Sequence, residues 1–366
     1  MSGKCNNGNF KNNNSFHSFN DNLTLEVRLR NWFQLKSDYF WAMQNIQSYH
    51  EAFVAYLSDY IKPKEPSSLY EPVNYILQLG GKRLRPILTL MTSEIFGCNH
   101  NLALDAALSV EVFHNFSLVH DDIMDDAPLR RGQQTVHEKW DVNTGILSGD
   151  AMLIMAYQLF ENYEPNVFQG LAKLFSKTAL EVCEGQQYDV DFETRDDVTI
   201  PEYLKMIEYK TAVLVGAAMK MGAIVAEASI SCQEAIYEFG KNLGIAFQLQ
   251  DDYLDVFGDP MSFGKQVGGD IIENKKTYLY LKAVEFSESS EKRQLKHLYG
   301  INPSDSTDKI ETIKQLFVSS GAAKATKNEI GNYTQKAFSV LNTLKISEEN
   351  KALLREFGNH LMNRNM

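Results

Sequence analysis

The chain has 366 residues, with 36 Lys and Arg against 47 Asp and Glu, a formal charge of −11. With 44% hydrophobic and 23% charged residues it has the balance of a folded globular chain, which excludes wholesale disorder. The acidic excess argues against nucleic acid as the main partner, because phosphate backbones require a clustered basic face.

The first 42 residues are Asn-rich and carry no hydrophobic core of a signal peptide. They read as a disordered leader or a non-native extension, with the folded domain running over 43–366 from Met43. From about Gln44 onward the pattern is helical. The whole chain has 9 prolines, and apolar residues recur at three and four spacing, as in Ala106, Leu108, Val110, Val112, Phe113, Phe116 and Val119. Alternating β-branched runs are absent, so the expectation is all-α: a single-domain bundle of roughly ten or more helices. Breaks are expected at Gly80–Gly81, Ala127–Pro128, Gly185, Gly258–Asp259–Pro260 and Gly268–Gly269, with a surface connection over 287–309. The longest apolar stretch, Thr211 to Ala226, is interrupted by Lys220 and falls short of the ~20 residues that span a bilayer, so no transmembrane segment is expected. Cys5, Cys98, Cys183 and Cys232 are far apart with no CxxC pair, which fits reduced thiols in a cytoplasmic protein.

Two carboxylate clusters share one spacing. Asp121-Asp122-Ile123-Met124-Asp125-Asp126 follows one apolar helical run, and Asp251-Asp252-Tyr253-Leu254-Asp255 follows another. On a helix, positions three and four apart share a face, where like charges repel unless cations offset them. Carboxylates without His or Cys favour a hard divalent cation, Mg²⁺ first, and Mg²⁺ held by few carboxylates also binds phosphate oxygens of a ligand. The two clusters therefore read as two acidic faces for such a cation. Basic residues gather at turns: Lys82, Arg83 and Arg85 after the Gly pair, Arg130 and Arg131, Lys210 beside Thr211, Lys265, and Lys275 with Lys276. They suit two separate diphosphate groups.

Read together, GGKRLRP at 80–86, HNFSLVHDDIMDDAPLRRG at 114–132, GQQYD at 185–189, YKTA at 209–212, FQLQDDYLD at 247–255 and GKQVGGD with NKK at 264–276 resemble the trans-isoprenyl (polyprenyl) diphosphate synthases. The resemblance covers nearly all of the chain after about residue 43. It implies an isoprenoid-synthase fold around a deep central cavity, an Mg²⁺-dependent prenyltransferase using about three ions with substrate bound, and a homodimer. It implies that Asp121, Asp122 and Asp125 hold the metal from one side and Asp251, with Asp252 and Asp255 supporting, from the other, and that Asp121, Asp122, Asp125, Asp251 and Lys210 serve the reaction. Isopentenyl diphosphate falls to Lys82, Arg85, His114 and Arg131. The allylic diphosphate falls to Arg130, Lys210, Thr211, Gln248, Lys265 and Lys275, with Gln186 and Asp189 facing the reacting groups. His120 and His137 read as structural, and Asp126 as an extra acid outside the ligand set.

Product length follows from whatever floors the cavity behind the first Asp cluster. At about 1.5 Å per residue, Phe116 lies about 7 Å and Phe113 about 12 Å before Asp121, with the small Ser117 nearer the metal. In the family, a large residue five before the motif and a small one at four accompany products of fifteen to twenty carbons, and the absence of a two-residue insertion in DDIMD points to geranylgeranyl over farnesyl diphosphate. A longer-chain synthase, a class I terpene cyclase and a non-catalytic partner subunit stay open as alternatives.

Overall fold

The computed structural model describes residues 46–259 and 268–362, all within the unit Ile46–Met366. The leader 1–42, Met43 and Lys265 lie outside the described residues. The described chain is all-α, with well over ten helices and one two-residue hairpin pairing Leu129–Arg130 with Gln133–Gln134. In chain order the helices are α1 (46–60), α2 (Ser67–Gln78), α3 (Leu84–Ile95), α4 (Leu104–Met124), α5 (Val136–Lys139), α6 (Val142–Gln158), α7 (Pro165–Thr194), α8 (Ile200–Ile207), α9 (Val213–Val225) and α10 (Ile230–Phe257). They continue as α11 (Gly269–Ile272), α12 (Tyr278–Phe286), α13 (Ser289–Leu298), α14 (Thr307–Ser319), α15 (Ala322–Thr343) and α16 (Glu348–Met362).

The starts of the helices are written locally. Asp141 caps α6 by accepting from the Thr144 amide at 2.9 Å, and Thr199 with Glu202 forms a capping box on α8. Helix α4 packs on α3, α6 and α9, and α10 lies against α9 and α15. Burial of Val110, Val112, Phe113 and Val119 contributes roughly 1.5–3 kcal/mol per side chain. That outweighs the poor helix propensity of the aspartates at the end of α4, below about 1 kcal/mol each. The segment His100–Met124 is long and apolar enough to cross a membrane by length and composition, yet it is a core helix with 67% of its apolar window buried.

Two expectations about organisation change. Gly185 does not break a helix; it lies inside the thirty-residue α7. A Cβ there would overlap the backbone at Lys210 and come within 2.6 Å of the Tyr209 carbonyl carbon, so this glycine is a crossing point. The interval 287–309 is also more than a connection, because it carries α13, which buries Leu295. The breaks at Gly80–Gly81, Ala127–Pro128 and Gly258–Asp259 fall between elements as expected, Gly268–Gly269 opens α11, and Pro260 lies outside the described residues.

Candidate active site

The first acidic cluster closes α4. Asp125 caps the helix, and its amide still donates to the Asp121 carbonyl at 2.9 Å, so Asp121 and Asp125 stay one turn apart. Asp122 is turned into the protein and almost fully buried. Its Oδ1 accepts from Arg130 Nε at 2.7 Å and also from Arg130 Nη2, while its Oδ2 has no hydrogen-bond partner. Arg130 reaches back across the hairpin and lies 3.7 Å from Asp121. Burial, and then the charge of Asp121, pushes the Asp125 carboxyl up to about 6. Asp126 stands apart from these: its carboxylate, His137 and Glu138 have donor atoms within 4.8 Å of one another.

Opposite this cluster, residues 208–212 form a turn of π-helix between α8 and α9. It presents Lys210, whose Nζ lies 2.6 Å from Asp189 and 3.3 Å from Asp121. Burial alone would lower the Lys210 pKa, but Asp189 and Asp121 outweigh it and hold the ammonium charged. Thr211 donates to Gln248 Oε1 at 3.1 Å, and Gln248 Nε2 donates to Asp252 at 2.9 Å.

The second cluster lies in the last two turns of α10. Asp252 is buried with both carboxylate oxygens engaged, one by Gln248 and the other by the Tyr203 hydroxyl. Asp255 accepts the amide of Asp270 at 3.0 Å and so ties α11 to α10. Asp251 is half-buried on the same turn. Burial raises the Asp252 and Asp270 carboxyls above the usual range, and their acidic neighbours add to it. Lys275 belongs to this wall with Asp189, Asp252 and Asp270, and its ammonium pairs with Glu273 at 2.8 Å.

The basic corner is built on glycine. Gly80 (φ +76°) and Gly81 (φ +128°) turn the chain out of α2 in conformations that L side chains rarely adopt. A Cβ on Gly81 would lie 2.9 Å from the Arg131 Cζ, and the Arg131 guanidinium donates to the Gly80 carbonyl. The glycine pair is thus a seat for Arg131 as well as the end of α2. Arg83 is not a ligand candidate in this arrangement: it is buried, bonded to Glu111 at 2.5 Å and to the Leu77 carbonyl at 2.5 Å. Lys82, Arg85 and Arg131 line a cavity with His114 and the paired Arg83 and Glu111. Arg85 Nη1 lies 3.2 Å from His114 Nε2. Burial, then Arg85, Arg131, Arg130 and Arg83, holds the imidazole well below its usual pKa, so His114 is neutral and accepts from Arg85.

Three cavities meet here. One is lined by Asp189, Lys210, Gln248, Asp252, Asp270 and Lys275. The second, about 310 Å³, runs along α4 and α7 past Asp121, Ser117, Gln186 and Val182 to Phe116, at the low end of ordinary ligand pockets of about 300–1,000 Å³. The third is the basic corner. Thr211 borders all three. Phe113 does not reach the second cavity; it is buried behind Phe116, with ring centres 5.5 Å apart.

Glu111, Tyr203 and Asp270 are the side chains at this site that the sequence left unmarked. Asp270 had a signal in GGD, but Glu111 and Tyr203 sit in ordinary helical runs. The donor set fits a hard cation: the acids of this wall are carboxylates with no thiol among them, one oxygen of the buried Asp122 has no hydrogen-bond partner, and burial, then Asp121, raises the Asp125 carboxyl.

The family described as polyprenyl synthetase matches residues 66–317. The geranylgeranyl diphosphate synthase of Methanosarcina mazei is 36% identical over 324 residues, covering 88% of this chain and 97% of that protein. The geranylfarnesyl diphosphate synthase of Natronomonas pharaonis is 40% identical over 245 residues, covering 62% of this chain and 72% of the relative. A crystal structure of a geranylgeranyl pyrophosphate synthase superposes with a TM-score of 0.85 at 57% identity, covering 88% of this chain and 99% of that one. The chain belongs to the polyprenyl synthetase family, and it is a prenyltransferase of the short-chain trans-prenyl diphosphate synthase type.

Proposed function

We propose that the enzyme joins an allylic diphosphate to isopentenyl diphosphate and stops at geranylgeranyl diphosphate. The observation that carries this reading is Thr211, which borders the acid-lined, apolar and basic cavities at once. Such a junction suits a reaction in which an ionised group, a growing hydrocarbon tail and a second diphosphate must meet at one carbon.

In this reading Asp121, Asp125 and Asp251 hold the metal. Asp122, Asp252 and Asp255 support them from positions already engaged by Arg130, by Tyr203 and Gln248, and by the Asp270 amide. Bound Mg²⁺, about three ions, supplies positive charge to the oxygens of the departing diphosphate. Lys210, Arg130 and Lys275 add fixed cationic charge there, which counts for more where water is excluded. Lys265 and Gln248 serve the same diphosphate. The allylic C–O bond breaks with its electron pair on oxygen, and the alkene of isopentenyl diphosphate, whose diphosphate is gripped by Lys82, Arg85, His114 and Arg131, forms the new C–C bond. A proton then leaves the adjacent carbon to the released diphosphate. Gln186 and Asp189 face the reacting groups, and the apolar walls down to Phe116 keep water from the cation.

The test is product mass after incubation with dimethylallyl, geranyl or farnesyl diphosphate plus labelled isopentenyl diphosphate and Mg²⁺. A labelled twenty-carbon diphosphate is expected, with none after chelation of divalent metal. Products of twenty-five carbons or more would move the protein to the longer-chain reading, which the geranylfarnesyl-synthesising relative favours. Unlabelled cyclic hydrocarbon would make it a cyclase, and an inert purified chain would make it a partner subunit. A homodimer and a cytoplasmic location belong to the same proposal, the second supported by the unpaired Cys98, Cys183 and Cys232.

A further inference from the structure

His120 has no part in the machinery described so far, yet it lines the apolar cavity together with Phe116, Leu118 and Met124. Its ring meets Phe116 edge-on, with centres 4.8 Å apart and planes at 65°. Its Nε2 lies 3.2 Å from the carbonyl oxygen of Ile146 on α6, a hydrogen bond that the ring donates. Helix α6 approaches this closely because Gly145 and Gly149 face α4. A Cβ on Gly145 would lie 2.8 Å from the Ile123 Cδ1, and one on Gly149 would overlap the His120 ring itself. On its other side Phe116 rests on Phe113, which rests on Phe175 with ring centres 5.0 Å apart. The floor of the cavity is therefore part of a row of tilted and edge-on ring contacts, Phe175–Phe113–Phe116–His120, pinned at its His120 end to the backbone of α6.

An aromatic ring supported on one side only can swing between rotamers. Each added isoprene unit presses five more carbons toward burial, which favours moving that ring aside. We propose that His120 is a specificity-determining residue: by bracing Phe116 from the α6 side it determines the length at which the cavity stops the growing chain. The inference rests on the reading that Phe116 floors the cavity. It adds that the floor holds only while His120 is fixed to Ile146.

The experiment compares product-length distributions, by mass, for the wild type, Phe116→Ala, His120→Ala, His120→Phe and Gly149→Ala at saturating isopentenyl diphosphate. Gly149→Ala displaces the His120 ring from α6 with the α4 sequence untouched. His120→Ala and Gly149→Ala are each expected to raise the ratio of longer to twenty-carbon product roughly tenfold, equivalent to about 1.4 kcal/mol of lost bracing. His120→Phe, which keeps a ring against Phe116, should stay nearer the wild type than His120→Ala. If Phe116→Ala lengthens the product while His120→Ala and Gly149→Ala lower only rate or thermal stability, the brace is overturned and the floor survives. If Phe116→Ala leaves the product unchanged, the floor reading fails and takes the brace with it. If Gly149→Ala does not fold, His120→Ala decides by the same measure.

Discussion

Arg83 and Glu111 form a buried ion pair, 2.5 Å between Nη1 and Oε1, that joins the left-handed start of α3 to the middle of α4. The same guanidinium takes the Leu77 carbonyl at the end of α2, so one side chain ties three helices. It lines the basic cavity beside Lys82 and Arg85, but with its charge already matched by Glu111. Glu111 also offsets the repulsion that Arg85 and Arg131 meet from the neighbouring arginines. Removing one partner strands a buried charge, which costs about 3–5 kcal/mol. Arg83→Met is therefore expected to lose that much in urea unfolding, and Arg83→Met with Glu111→Leu to regain most of it. The double variant should still show a raised KM for isopentenyl diphosphate with the KM of the allylic primer near wild type. Equal rises in both would show that the pair does not position Lys82 and Arg85.

Gly185 lets α7 touch the π turn that carries Lys210 and Thr211. An added methyl must push that backbone away from Asp121 and Asp189. A displacement of about 1 Å at reacting groups costs on the order of 10²-fold in rate. Gly185→Ala should accordingly lower kcat about a hundredfold at saturating substrates. Gly331→Ala is the control, on α15 with nothing near its added carbon, and should keep full rate. Equal rates for the two variants would remove Gly185 from any role at the site.

Tyr203 and Gln248 hold Asp252 from opposite sides. Groups that orient carboxylates near a metal typically alter metal affinity or activity about 10–100-fold when lost. Tyr203→Phe is expected to need at least about tenfold more Mg²⁺ for half-maximal rate, measured by metal titration at fixed substrate. An unchanged Mg²⁺ curve with lowered thermal stability would reduce Tyr203 to packing.

His114 supplies a pH signature. Its folded pKa lies well below the usual 6.5 because burial and the surrounding arginines oppose the charged form. Below pH 6.5 the unfolded chain takes up a proton that the folded chain refuses, so this residue makes stability fall as pH falls. The slope reaches at most about 1.4 kcal/mol per pH unit. His114→Asn should flatten the decline in Tm between about pH 6.5 and pH 5, with little effect above it. A parallel decline in both proteins would mean that His114 takes its proton when folded.

Much of this molecule is legible along the chain because its determinants are local. The helical period of Ala106 to Val119 requires only neighbours three and four apart. The spacing of Asp121, Asp122 and Asp125, repeated at Asp251, Asp252 and Asp255, states its charge problem on one helix turn. Other features are not legible, since they depend on what crosses what. Gly185 looks like a break until α7 is laid against the π turn, and the 287–309 interval looks like a loop until Leu295 finds a core. Arg83 reads like the other cations of its loop until its pairing with Glu111, twenty-eight positions away, removes it from their number.

The sequence alone determined the helical architecture, the two acidic faces and the supply of cations to balance them, because propensity, periodicity and charge act over one or two turns. Only the folded chain decided which carboxylates are engaged by protein donors and which cations face a cavity. It also decided that Phe116 is held between Phe113 and His120. Those outcomes depend on contacts between helices distant in sequence, where a missing Cβ at Gly81, Gly149 or Gly185 sets how closely two backbones approach.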